Sequence, residues 1–179
     1  MNIFMLDTDI NKCASAHTYK HVIKMILEYS QLLCTAHRVI DGTLVQVVSK
    51  SGRNKKHYSL SDDRESFLYI ATHVNHPSAV WTRINSANYS WLANLAVQLC
   101  LVYSNHAGRT HKCQPLLEWL ANNIPQNIKC EDTMTPLLLA MPEVYHTSDP
   151  VKSYRAYYNN EKKHLFDWRH SETPAWINQ

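Results

Sequence analysis

Between His17 and Arg38 the chain reads HTYKHVIKMILEYSQLLCTAHR, a helical stretch with a thin polar line on a greasy cylinder. His17, His21, Lys24, Glu28 and Gln31 recur at spacings of 4, 3, 4 and 3 residues, which at 3.6 residues per turn places them on one stripe. Val22, Ile23, Met25, Ile26, Leu27, Tyr29, Leu32 and Leu33 fill the rest of the surface. A surface helix normally carries a broad polar face, so this one belongs largely inside the protein. Its polar stripe must then find partners, water or a ligand, because an unpaired buried polar group costs about 1–3 kcal/mol. Two readings stand: a stripe lining a cleft, or a solvent-facing edge on which Lys24 and Glu28 pair one turn apart.

The rest of the chain organises around this helix. Residues 2 to 6 (NIFML) form a short strand or a buried arm, and Asp7, Thr8 and Asp9 suit the cap of a short helix over 9–15. After the turn at Asp41-Gly42, residues 43–49 and 55–60 alternate as two strands about a turn of Ser51, Gly52, Arg53 and Asn54, whose tip from Lys50 to Lys56 carries four basic residues. Residues 62–75 fit either a helix or an extended segment. Pro77 opens a helix over 77–84; Ser86 caps one over 87–105, ended by Gly108; Thr110 caps one over 111–122. Residues 124–148 hold three prolines and read as loop, Asp149-Pro150 starts a helix to about 162, and an aromatic tail with Phe166, Trp168 and Trp176 follows. The expected fold is mainly α, a compact helical domain over 1–179 with one small β-hairpin inserted at about 43–60.

Composition narrows the function classes. Only 3 glycines occur among 179 residues, which leaves no Gly-rich phosphate loop. The formal charge of +3 permits nucleic acid or phosphate as a partner without demanding it. The 5 cysteines are odd in number and form no CxxC pair, so free thiols of a reducing compartment are expected. No signal peptide or membrane span is read from the sequence, and a cytoplasmic protein without a cofactor is expected.

Four polar sets carry the candidate chemistry. On the stripe, His21 suits a general acid or base, Lys24 an electrostatic partner or nucleophile, and Glu28 the group that orients it, with His17 and Gln31 beside them. His17 and His21 also have the i, i+4 spacing of a metal pair, but the glutamate of a zinc protease motif is missing and Lys24 would repel a cation, so no metal site is assigned. A weaker reading is a metal-dependent hydrolase that adds His76 or His111. The second set, His76 with Trp81, Arg83, Asn88, Tyr89 and Trp91, mixes flat rings with hydrogen-bonding groups, which suits a base; helix packing is the other reading. The third, His106, Arg109, His111 and Lys112 around Gly108, reads as a phosphate seat or a solvated loop. The fourth, SYRAYYNNEK, sets Tyr154, Tyr158 and Glu161 on one helix face with Arg155 and Lys162 nearby, a nucleic-acid surface or a packed tyrosine ladder.

The segments LDTDINKCASAHTYKHVIKMILEYSQLLCTAHR, NHPSAVWTR with NYSWL, GRTHK, AMPEVY and SYRAYYNNEK together resemble a family of small proteins of bacteriophages and large DNA viruses. The resemblance spans nearly the whole chain. It implies a viral protein of an infected host cytoplasm, linked by association to DNA or nucleotide metabolism. The expected function is an enzyme acting on a nucleotide or DNA base, and the alternative a non-catalytic nucleotide- or DNA-binding module such as a counter-defence protein. In the enzyme reading Arg83, Lys112 and Arg155 hold phosphate, and Trp81, Tyr89 or Tyr158 stacks on a base. The chain does not resemble the phage pyrimidine-dimer glycosylase in detail, and it lacks that enzyme's N-terminal threonine nucleophile, residue 2 being Asn2.

Overall fold

A computed structural model describes residues 1–48, 52–168 and 172–178; the side chain of Lys55 is outside that description. Lys50, in the expected basic hairpin tip, therefore lies outside the described residues. The chain is mainly helical, with seven α-helices and one two-stranded antiparallel hairpin among the described residues.

Two long helices form the centre. The first long helix, α2 (Tyr19–Asp41), lies against α5 (Ser86–Ala107). Around them pack α1 (Ile10–Ser15), α4 (Pro77–Thr82) and α6 (Gln114–Asn122). The greasy cylinder of the sequence is buried on its inner side, where Met25, Ile26, Tyr29, Leu32 and Leu33 are inaccessible and share one core with Leu92, Leu95, Ala96 and Leu99 of α5, but Ile23 and Leu27, expected in the same apolar surface, are exposed. No described helix is long and apolar enough to cross a membrane.

The helix ends follow side-chain capping. The Asp9 carboxylate accepts Lys12 N–H at 2.9 Å, and the Asp149 carboxylate accepts Val151 N–H at 2.9 Å to start α7 (Pro150–Glu161). For α5 the cap is Asn85, one residue before the expected Ser86, its Oδ1 accepting Asn88 N–H at 2.9 Å. Gly108 ends α5 at φ +63°, a left-handed turn that glycine adopts without a Cβ clash. Thr110 does not cap α6. The helix begins three residues later than expected, after a turn in which Gln114 N–H donates to His111 O at 2.9 Å.

Residues 2–6 form no strand. They are the alternative, a buried arm, with Ile3, Phe4, Met5 and Leu6 in the core. The hairpin pairs β1 (Thr43–Val48) with β2 (Asn54–Ser59), Thr43 opposite Ser59 and Val48 opposite Asn54. Gly42 precedes it where a Cβ would meet Arg38 O at 2.4 Å and Ser59 O at 2.9 Å, so a side chain cannot fit.

The ambiguous stretch after the hairpin holds only a short helix, α3 (Arg64–Phe67), and is otherwise irregular. Arg38 organises it. This guanidinium is 1% exposed and donates to Tyr69 O at 2.7 Å, Tyr58 O at 3.0 Å, Glu65 Oε2 at 2.6 Å, Glu65 O at 3.1 Å and Leu68 O at 2.8 Å. A buried charge is tolerable only when paired and saturated in this way. The hairpin and the segment after it are thereby fastened to α2.

Candidate functional site

The polar stripe of α2 divides into an inward and an outward half. His17 sits before the helix and His21 in its first turn, and both turn into the core. His17 Nδ1 donates to Cys13 O at 2.7 Å, which fixes the proton on Nδ1 and leaves Nε2 to accept from the Tyr29 hydroxyl at 3.4 Å. His21 Nδ1 lies 2.8 Å from the Tyr158 hydroxyl, and its ring stacks on Phe4 with centroids 4.7 Å apart. Burial pushes His17 down to about 4. Burial, with the positive charges of His17, Lys24, Lys162 and His164, pushes His21 down to about 3. Both imidazoles are thus neutral core groups. The expectation that five side chains share one recess is corrected: in its first turn α2 presents the stripe to the arm and α7, and only later to the surface. Among the described residues no three His, Cys, Asp or Glu side chains are placed to hold a metal ion.

The outward half gathers a second set. Lys24 Nζ lies 3.3 Å from Glu28 Oε1, the lysine 63% exposed and the glutamate 16%, with Gln31 half-buried beyond them. The negative charge of Glu28 acts on His76, the cap of α4. His76 Nδ1 accepts Ser78 N–H at 3.2 Å, so Nε2 carries the proton of the neutral ring. Burial, followed by nearby positive charge including that of His73, lowers its pKa and keeps it neutral. Ser78 Oγ is fully buried without a hydrogen-bond partner, and His73 adopts φ +50°, a left-handed conformation uncommon for a side-chain-bearing residue. Arg83 donates from Nη1 to Val74 O at 2.7 Å and so holds the loop that carries His73 and His76. Lys24 and Glu28 thus form an ion pair on the outer side of α2, while the segment that leads into α4 carries a strained backbone at His73 and a buried hydroxyl without a partner at Ser78, features that recur at working sites.

The remaining expected site residues are placed elsewhere. Trp81 is inaccessible and donates from Nε1 to Thr135 O at 3.1 Å. Asn88 is saturated, donating to Trp81 O at 2.9 Å and Thr135 Oγ1 at 2.8 Å and accepting Thr135 N–H at 2.9 Å. Tyr89 is buried 2.8 Å from His37 Nε2 and donates to Leu120 O at 3.2 Å. These three fasten α4, α5, α6 and the loop after residue 124, so a base cannot reach them. Arg155 donates to Leu6 O at 2.7 Å and Asp7 Oδ2 at 2.9 Å, and lies over Trp176 at 5.2 Å. It secures the arm. Tyr158 is a core group, its hydroxyl accepting Thr18 N–H at 3.0 Å. His111 and Lys112 stay at the surface, on the loop before α6.

One polar centre gave no sequence signal of its own. Arg64 donates to Asp41 Oδ2 at 2.5 Å, to Asp62 Oδ2 at 2.7 Å and to His37 Nδ1 at 3.2 Å, and the acceptor role of Nδ1 leaves His37 Nε2–H to donate to Asn123 O at 3.0 Å. Burial first, then the charge of Arg64, lowers His37 to about 4. Comparison with protein-family models, curated proteins and solved structures gives no match.

Proposed function

We propose that the protein acts on a nucleotide or a nucleic-acid base, with Glu28 and His76 moving a proton and Lys24 facing substrate negative charge. The observation that carries this reading is the Lys24–Glu28 pair at 3.3 Å, a sheltered carboxylate with its ammonium in solvent, on a helix against which α4 and its cap His76 pack. A carboxylate and a neutral histidine that both reach one substrate act as an acid–base pair, one partner accepting while the other donates, and positioned proton transfer contributes about 10²–10⁴-fold to a rate. The His76 tautomer presents Nε2–H as the donor. Lys24, largely in solvent, is where a phosphate or a developing anion can be met. In this reading His21, first among the residues expected from sequence, positions the start of α2 and does not touch substrate. The cysteines are free among the described residues and four of the five are buried, which supports a reducing cytoplasm.

The test is incubation with a panel of nucleotides and with single- and double-stranded oligonucleotides, followed by chromatography for product and by a binding measurement. Glu28→Gln is expected to keep the melting temperature and lose at least 100-fold in turnover, and Lys24→Met to weaken substrate binding. Binding without product on every substrate would replace this reading with a non-catalytic binding module. Full turnover by both variants would remove the site.

A further inference from the structure

A second surface, away from the Glu28 cluster in sequence, is built almost wholly of hydrogen-bond donors. Tyr103 near the end of α5 and the loop residues Arg109, Thr110, His111 and Lys112 line a depression of about 280 Å³ that no carboxylate enters. Its parts are held in place. The hydroxyl of Tyr103 accepts Arg109 Nε–H at 3.0 Å, and the Tyr103 ring meets His111 edge-on at 5.0 Å. His111 Nδ1 accepts Cys113 N–H at 3.2 Å, which leaves the proton on Nε2 as a donor. Arg109 and Lys112 form no ion pair among the described residues, whereas Arg38, Arg64 and Arg155 all do. Two cations, a hydroxyl and an imidazole N–H converge with no acid to neutralise them.

An aromatic groove lies on α6, the helix that this loop leads into. Phe67, Pro115, Leu116 and Trp119 line a shallow space of about 390 Å³, with the Phe67 and Trp119 rings edge-to-face at 5.0 Å and Phe67 41% exposed. The loop residues 109–112 lead directly into Pro115 and Leu116 at the start of α6, so the two depressions are neighbours along the chain. An anion seat followed along the chain by an apolar platform matches a phosphate and a nearby base.

We propose that the loop of residues 109–112 seats a phosphate and that the Phe67–Trp119 groove takes a base of the same chain, forming a track for single-stranded nucleic acid. The stacking needs no particular base, since every base has a π-face, so the track is sequence-tolerant. The inference shares with the proposed function only its ligand class. Binding is read here without turnover, so either can fail alone.

The experiment is fluorescence anisotropy of the full chain with a labelled 12-nucleotide oligothymidylate over a salt series. The Arg109→Ala/Lys112→Ala double variant is expected to bind at least tenfold more weakly and to reduce the slope of log K against log salt by about 1.4, two phosphates at ~0.7 each. Phe67→Ser, at an exposed position, and Trp119→Ala are each expected to lose several-fold to tenfold in affinity with the salt slope unchanged. An oligonucleotide that does not bind, or a salt slope unaltered in the double variant, would overturn the track. Competition by a nucleoside triphosphate as strong as by the strand would overturn it too, by showing a site for a free nucleotide.

Discussion

The hydroxyl of Tyr158 on α7 lies 2.8 Å from Nδ1 of His21 on α2 and at the same time accepts Thr18 N–H at 3.0 Å. One oxygen thus serves the first turn of the central helix, where Thr18 makes no side-chain cap of its own. Tyr158→Phe removes it while keeping the ring that meets Phe4 and Phe166. Two buried polar groups are then left without a partner. A loss of about 1–3 kcal/mol is expected in urea denaturation, with an unchanged denaturant slope. A loss under about 0.5 kcal/mol would mean that the first turn of α2 is secured in some other way.

Three buried histidines set the acid limit of the fold. His17 and His37 are lowered to about 4 and His21 to about 3, each chiefly by burial, from an ordinary value of 6.5. Below pH 6.5 the unfolded chain binds protons that the folded chain refuses, so stability is complete above that pH and falls with acidification toward pH 4. Each histidine contributes up to about 1.4 kcal/mol per pH unit in that window. Circular dichroism at fixed urea is expected to show a cooperative loss between pH 6.5 and 4. His37→Gln, which retains a donor and an acceptor, should flatten the slope. A midpoint in urea that is level from pH 7 to 5 would contradict the neutral assignment.

How much of this was readable from the sequence differs from element to element. Asp9, Pro77, Gly108 and Asp149 marked helix ends because capping is local chemistry, and the α2 pattern announced the burial of its Met25, Ile26, Tyr29, Leu32 and Leu33 side while Ile23 and Leu27 stay exposed. The stripe failed as a site for a geometric reason. Equal spacing puts five side chains in one line along a helix, but what faces that line changes along 23 residues, from the Phe4 arm and α7 to solvent and the start of α4. Lys24 and Glu28 were legible as neighbours one turn apart. Their relation to His76 was not, because it depends on how α4 packs on α2. The Asp41–Arg64–His37 centre was invisible for the same reason, joining residues separated by 23 and 27 positions. Trp81, Asn88 and Tyr89 have side chains equally suited to a base and to a core, and only burial decides between those uses.

Arg38 is the position at which the hairpin should be most sensitive. Arg38→Met keeps the length of the side chain and leaves the Tyr58, Leu68 and Tyr69 carbonyls without their donor. A loss of about 1–3 kcal/mol is expected, the range for leaving buried acceptors without a donor, since the charge left behind on Glu65 reaches solvent. Glu65 adds a milder acid sensitivity. Burial raises it, but hydrogen bonds from Leu60 N–H, Arg38 and His57 prevail and hold it down at about 2, against an ordinary 4.5. Its contribution is therefore present above pH 4.5 and lost as the pH falls toward 2, and it is small because the side chain is 38% exposed. Hydrogen exchange checks both statements: the hairpin amides should lose protection in Arg38→Met well before those of α5. Equal protection in the two elements would show that the hairpin does not depend on this guanidinium.

The strained backbone at His73 offers a test that separates stability from function. A left-handed conformation costs a side-chain-bearing residue about 1–2 kcal/mol, and here it is held from both sides. Thr72 N–H donates to Thr35 Oγ1 at 3.1 Å, His76 N–H to His73 O at 2.8 Å, and Arg83 to Val74 O at 2.7 Å. His73→Asn tolerates the same conformation without the imidazole, and His73→Gly relieves the strain but widens the unfolded ensemble. Both are expected to stay within about 1 kcal/mol of the parent in urea denaturation, with Asn at least as stable. The positive charge of His73 acts on His76 when the imidazole is protonated. Removing it should move the acid limb of the pH–rate profile toward higher pH, as His76 becomes easier to protonate, while leaving the plateau rate of Asn near that of the parent. A profile that stays in place in both variants would show that the His73 side chain has no part in the Glu28–His76 cluster.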